Sequence, residues 1–137
     1  MSLGIAIAAV VLTTVTIGAP ASAATGPTAG DISITLLAAP DGAVLGFGED
    51  VGRHNAVDKV IGSMLLEGRL PLRDHGLYVS GRASIEMVQK AWSAGLATLL
   101  AESAPTALAV ESARRAEMML VGFLRADGFN VYTTTHR

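Results

Sequence analysis

From residue 32 onward the chain switches repeatedly between strand-like and helix-like hydrophobic spacing, and this alternation restricts its architecture more than any other feature. Residues 32–38 are rich in Ile, Thr and Leu and read as a strand. Pro40-Asp41-Gly42 is a turn signal, and residues 43–47 return as a second strand, which predicts a β-hairpin. Gly46 and Gly48 are expected to loosen the chain beyond it. From Asn55 the period becomes helical: Ala56, Val57, Val60, Ile61, Met64 and Leu65 form one stripe, and Gly68 marks the exit. Residues 76–80 read as a short strand. Residues 83–94 read as a helix with Ile85, Val88, Ala91 and Trp92 on its buried face. A strand over 96–101 and a helix over 106–116 follow, with Pro105 near the helix start, where proline is tolerated. Strands over 118–124 and 129–133 are joined through Asp127-Gly128. The resulting order, β-β-α-β-α-β-α-β-β, predicts an α/β fold built on a mixed, partly parallel sheet.

The charge distribution divides the chain into 1–27 and 28–137. Residues 1–30 carry no charged side chain, and all ten basic and twelve acidic residues lie beyond them. The apolar run 3–19 ends in Pro20-Ala21-Ser22-Ala23-Ala24 and admits three readings. It resembles a secretory signal with small residues at a cleavage site, but no Lys or Arg precedes it. It is slightly short for a membrane helix. It is also β-rich enough to be a buried element of the domain. Elsewhere, a formal net charge of −2 and an aromatic content of 4% argue against a nucleic-acid binder. The chain contains no cysteine, which excludes disulfides, cysteine-ligated zinc and a cysteine nucleophile within these residues.

In sheets of this kind ligands bind beyond the carboxyl ends of the parallel strands, near helix N-termini. Two polar clusters fall at such junctions: residues 49–55, with Asp50, Gly52, Arg53, His54 and Asn55, and residues 80–84, with Ser80, Gly81, Arg82 and Ser84. Ser103 and Thr106 form a milder third cluster. Free backbone N–H groups at helix starts, two arginines and two glycines suit a phosphate-bearing, nucleotide-like anion. The same residues also suit plain structure. Asp50, Asn55, Ser80, Ser84 and Thr106 are common helix caps, and Arg53 with Glu49 would make a surface pair. His54 reads best as a helix-start packing residue, because no histidine here has metal-ligand spacing. No P-loop, dinucleotide fingerprint or Gly-x-Ser-x-Gly elbow is present. Met87, Met118, Met119 and Trp92 read as core.

Longer strings carry a family resemblance. Glu49-Asp-Val-Gly-Arg-His-Asn-Ala-Val-Asp-Lys-Val-Ile-Gly62 resembles the signature of the formate dehydrogenase accessory sulfurtransferases, the FdhD family. Val79-Ser-Gly-Arg-Ala-Ser-Ile-Glu-Met-Val-Gln-Lys90, Ser103-Ala-Pro-Thr-Ala-Leu-Ala-Val-Glu111, Leu120-Val-Gly-Phe123 and Val131-Tyr-Thr133 agree in order and spacing. The resemblance covers residues 41–133 and, more weakly, 28–40. It implies a three-layer α/β/α sandwich like that of cytidine deaminases, without the deaminase zinc. It also implies a role in formate dehydrogenase maturation: persulfide sulfur from a cysteine desulfurase is passed to the molybdenum cofactor in its bis-guanine-dinucleotide form. The implied cofactor-binding residues are Asp50, Gly52, Arg53, His54, Asn55, Asp58, Lys59, Ser80, Gly81, Arg82, Ser84, Ser103 and Thr106, and a GDP-like ligand would occupy the same place. Two features depart from the family. Its Cys-x-x-Cys loop has no counterpart in a chain without cysteine, and persulfide chemistry needs a thiolate. Its Thr-Gly-x-x-His stretch reads Ala29-Gly30-Asp31-Ile32-Ser33 here. Whether the chain is itself an enzyme therefore stays open. The alternative is a guanine-nucleotide-binding module without sulfurtransferase activity. The resemblance further implies a cytoplasmic protein with no membrane association. An apolar face left exposed in a short domain would favour a homodimer.

Overall fold

The computed structural model describes residues 32–135. The apolar segment 1–27 and its three readings lie outside the described residues. Strands β1 (Ser33–Ala38) and β2 (Val44–Asp50) form the expected hairpin. They are followed by α1 (Arg53–Leu66), β3 (Gly76–Val79), α2 (Ile85–Ser93), β4 (Thr98–Ala101) and α3 (Ala107–Arg115), then by β5 (Met119–Arg125) and β6 (Gly128–Thr133). The element order matches the one expected from the sequence. The six strands form one mixed sheet in the order β2-β1-β3-β4-β5-β6. β1 is antiparallel to both its neighbours, β3, β4 and β5 are mutually parallel, and β6 is antiparallel to β5. Hence β2, β3, β4 and β5 all point the same way. The starts of α1, α2 and α3 gather along the edge where β2, β3 and β4 end.

The pleat sorts the core into two parts, because successive side chains of a strand point to opposite faces. On one face Leu37, Leu77, Val79, Leu99, Ala101 and Leu120 pack against Val57, Val60 and Met64 of α1, Met87, Val88 and Ala91 of α2, and Ala109 and Ala113 of α3. On the other face Leu36, Ala38, Tyr78, Leu100, Met119 and Val121 form a second buried cluster. Among the described residues all three helices belong to the first face. None of those helices is long and apolar enough to cross a membrane.

Four local features differ from the sequence expectation. β2 does not loosen at Gly46 and Gly48 but continues to Asp50, paired with β1 as far as Ser33. Gly48 is needed there for another reason: a Cβ at this position would stand 2.6 Å from the Ala56 carbonyl oxygen and 2.9 Å from Val60 Cγ2. The missing side chain lets α1 lie directly on the strand. α1 accordingly starts at Arg53, ahead of Asn55. In α2 the buried residues are Met87, Val88 and Ala91, and Trp92 is 61% exposed. The buried stripe keeps Val88 and Ala91 but is turned toward Met87, so Trp92, on its far flank, faces outward. Leu65, in the last turn of α1, also faces outward.

Candidate functional site

The first loop, between β2 and α1, is built around Asp50. Its Oδ1 accepts the Gly52 N–H at 2.9 Å and is reached by Asn55 Nδ2 only at 3.5 Å. Its Oδ2 pairs with Lys59 Nζ at 2.8 Å, and Lys59 also donates to the Glu49 carbonyl at 2.9 Å. The hydrogen bond from Lys59, then that from Gly52, holds the Asp50 carboxyl down at about 2. Asp58, one turn into α1, pairs with Lys90 of α2 at 2.6 Å. Five of the residues expected at a ligand, Asp50, Gly52, Asn55, Asp58 and Lys59, thus have protein partners. Arg53 pairs with none of the neighbouring carboxylates, and the surface pair with Glu49 is not formed. Its stem instead crosses to the second loop, where a Cβ on Gly81 would be 3.5 Å from Arg53 Cδ.

The second loop follows β3. Ser80 Oγ accepts the Ile34 N–H at 2.8 Å while the Ser80 N–H donates to the Ile34 carbonyl at 3.0 Å, so this side chain ties β3 to β1. Arg82 is exposed. Ser84 occupies the N-cap position of α2 without making a cap hydrogen bond. It is only 9% exposed, and its Oγ makes no hydrogen bond of ordinary geometry, although the Glu86 carboxylate lies close enough to feel its hydroxyl. A buried hydroxyl without a partner is uncommon, because its desolvation is left uncompensated. Glu86 lies just beyond it. Its own N–H and the nearby Ser84 hydroxyl lower its carboxyl, and the charges of His54 and Arg53 add to the effect. Arg53, His54, Gly81 and Ser84 therefore share one locality at the start of α2, where the helix end itself carries partial positive charge.

The third loop abuts the second. Ala83 and Pro105 form a parallel bridge, and the Thr106 N–H donates to the Ala83 carbonyl at 3.0 Å. Thr106 is a working cap: its Oγ1 accepts the Ala109 N–H at 3.1 Å. Ser103 contributes its carbonyl, which accepts the Phe123 N–H at 3.3 Å. Three residues absent from the sequence-based set stand here. Tyr78 donates its hydroxyl to Glu102 Oε2 at 2.6 Å, and burial followed by that carboxylate pushes the phenol well above its ordinary range. Phe123 is 38% exposed and adopts a left-handed backbone, φ 52°. Glu102 had a signal in the sequence, as the only charged residue between Lys90 and Glu111. Phe123 ends the string Leu120-Val-Gly-Phe123 that carries the resemblance, but its left-handed conformation, at the register shift between β5 and β6, had no signal.

The sequence matches the FdhD/NarQ family over residues 7–137. The chain belongs to that family. A sulfur carrier protein FdhD from Corynebacterium efficiens is 55% identical over 103 residues, which cover 75% of this chain and 37% of that protein. One from Saccharolobus solfataricus is 46% identical over 108 residues, 79% of this chain and 42% of that protein. The chain therefore spans well under half the length of these relatives. Among solved structures, a candidate formate dehydrogenase accessory protein from Desulfotalea psychrophila superposes with a TM-score of 0.77 at 32% identity. The match covers 93% of this chain and 56% of that one. A deaminase/reductase from Thermotoga maritima, at 18% identity and a TM-score of 0.55 over 67% of this chain and 29% of that one, shares the fold alone.

Proposed function

We propose that this chain binds the molybdenum cofactor, in its bis-guanine-dinucleotide form, as cargo at the carboxyl edge of the sheet, and so supports its sulfuration for formate dehydrogenase. The observation that carries this reading is the Ser84 hydroxyl, buried at the start of α2 without a hydrogen bond of ordinary geometry and in the same locality as Arg53, with the Glu86 carboxylate nearby. An anionic oxygen there would take the hydroxyl proton and the free N–H groups of the helix start, with Arg53 supplying the counter-charge. The phosphates of a guanine dinucleotide have this chemistry. Family membership supports the assignment of the ligand, and His54, Gly81, Arg82, Ser103 and Thr106 complete the surroundings. Asp50, Asn55, Asp58 and Lys59 hold the first loop in shape. The chain is cytoplasmic in this reading. It forms a homodimer along the β2 edge, where Phe47, Val51, Leu65 and Leu66 are exposed.

Sulfur must travel on a thiolate outside these residues, since they include no cysteine. A cysteine desulfurase is its source in this scheme. The same fact favours a second reading, a guanine-nucleotide-binding module without sulfurtransferase activity. Calorimetric titration with GDP tests what the two share. Micromolar binding is expected, and the Arg53→Ala, Arg82→Ala double variant should weaken it roughly tenfold or more by removing charged contacts. Absence of GDP binding by the folded chain would overturn both. Rescue of formate dehydrogenase activity in cells lacking the family's protein, when this chain is supplied with a cysteine-bearing partner, separates the first reading from the second.

A further inference from the structure

The face of the sheet opposite the three helices carries one apolar or aromatic residue from every strand, in register. Phe47 of β2 stands opposite Leu36 of β1, Leu36 opposite Tyr78 of β3, Tyr78 opposite Leu100 of β4, Leu100 opposite Val121 of β5, and Val121 opposite Val131 of β6. Residues paired in this way project to the same face. Exposure along the row is uneven. Phe47 is 58% and Val131 40% exposed at its two ends, whereas Leu36, Tyr78, Leu100 and Val121 between them are buried. A side chain on an uncovered sheet face keeps contact with water. The middle of the row therefore lies under a cover narrower than the sheet. The helices do not provide it, since the buried cluster on this face contains no helical residue.

Outside the described residues the chain has only 1–31 and the pair His136-Arg137 left to supply a cover. The pair is too short and too polar. Residues 1–30 carry no charged side chain, so the apolar run 3–19 can be buried without leaving a charge unpaired. The row needs no polar partner either, because the Tyr78 hydroxyl already donates to Glu102 at 2.6 Å. The lengths agree. Six strands at about 4.8 Å spacing make a face roughly 24 Å across. The run 3–19 reaches about 25 Å at a rise of about 1.5 Å per residue, and further if extended. The point of entry agrees as well. β1 lies between β2 and β3, so the chain preceding Ile32 meets the sheet inside its edges, and the helices already occupy the first face.

We infer that the uncharged segment 3–19 is the cover of this row, a layer of the domain that seats on Leu36, Tyr78, Leu100 and Val121 and leaves Phe47 and Val131 at its margins. A segment with that duty is retained in the working protein and is neither a cleaved leader nor a membrane span. Its loss would uncover an apolar strip across four strands, of the kind that drives association.

A chain without cysteine makes the test direct. In the full chain, Phe47→Cys or Val131→Cys is combined with Ala8→Cys, Thr13→Cys or Ala19→Cys, and the double variants are treated with a short bis-maleimide. Both rim positions are exposed, so wild-type circular dichroism is expected throughout. In the control proteins Ser93→Cys, on the exposed side of α2, replaces the rim thiol. At least one rim pair is expected to give a within-chain product, unchanged in yield on dilution and severalfold above its control. Products that form only between chains would assign the face to a second copy and overturn the inference. So would the lack of product in every rim pair, or equal yields from rim and control. The intact mass of the chain recovered from expressing cells is a second reading. Retention of residues 3–19 is expected, and cleavage after Ala23 overturns it.

Discussion

The loops that open α1 and α2 read alike in sequence and behave differently in space. Each follows a strand, contains a Gly-Arg pair and ends at a helix start. In the first, the Asp50 carboxylate collects a backbone N–H, the Lys59 ammonium and the edge of the Asn55 amide. In the second, Ser80 spends its hydroxyl on β1, and the Ser84 hydroxyl makes no cap hydrogen bond. A loop that satisfies its own polar groups is a corner of the fold. A loop with polar capacity left over is where the proposed ligand would dock. Arg53 belongs to the first loop by sequence and lies across the second, and so joins the two.

The strongest way to break this distinction is to move the corner. Gly48→Ala places a Cβ against the α1 backbone, and overpacking of this kind costs about 1–3 kcal/mol. Urea unfolding should show that loss. Because Arg53 begins α1, GDP affinity should fall with it; full affinity in a destabilised variant would mean that the two loops are not coupled. A paired measurement at the two caps is sharper. Thr106→Ala removes a bonded cap and should cost about 1 kcal/mol. Ser84→Ala removes a hydroxyl with no cap hydrogen bond to lose, so its stability should stay within about 0.5 kcal/mol of wild type. GDP binding should nevertheless weaken in Ser84→Ala. Equal destabilisation by both substitutions would show that Ser84 is an ordinary cap.

The smallest effect is expected from acid. Asp50 titrates near 2 in the folded chain against an ordinary value of 3.8. Its contribution is complete above that ordinary value and is lost as pH falls toward about 2. Circular dichroism from pH 5 downward should show a shallower acid loss in Asp50→Asn than in wild type. Because the pair is solvent-exposed, added salt should shrink the difference. An identical acid profile in the two proteins would remove Asp50 from the corner.

Much of this arrangement was legible in the residues. Strand and helix differ in period, so the element order could be read from Leu36 and Leu37, Val57 and Val60, Leu99 and Leu100. Helix starts announce themselves through Ser, Thr, Asp and Gly, so the loops could be placed. Contacts between elements were less visible. Gly48 resembles a breaker in one dimension and is a clearance for α1 in three. Trp92 looks like core until the buried stripe is seen to run through Met87, Val88 and Ala91 and leave it outside. Ser80 and Ser84 look equivalent until β1 arrives to claim one of them. Which polar groups are left over depends on partners distant in sequence, and no local pattern records that.

The Ser80–Ile34 clasp also has a mechanical meaning. β1 runs against β3, so its first residues lie where β3 ends, and everything upstream of Ile32 joins the described part of the molecule at the rim of the candidate site. Two short hydrogen bonds, one in each direction, moor that entry point to the loop that carries Ser84. A load applied to the upstream chain would meet the Ser33–Asp50 pairing with β2 and, next along β1, this clasp. Slackening it would loosen the seam between β1 and the loop that carries Ser84.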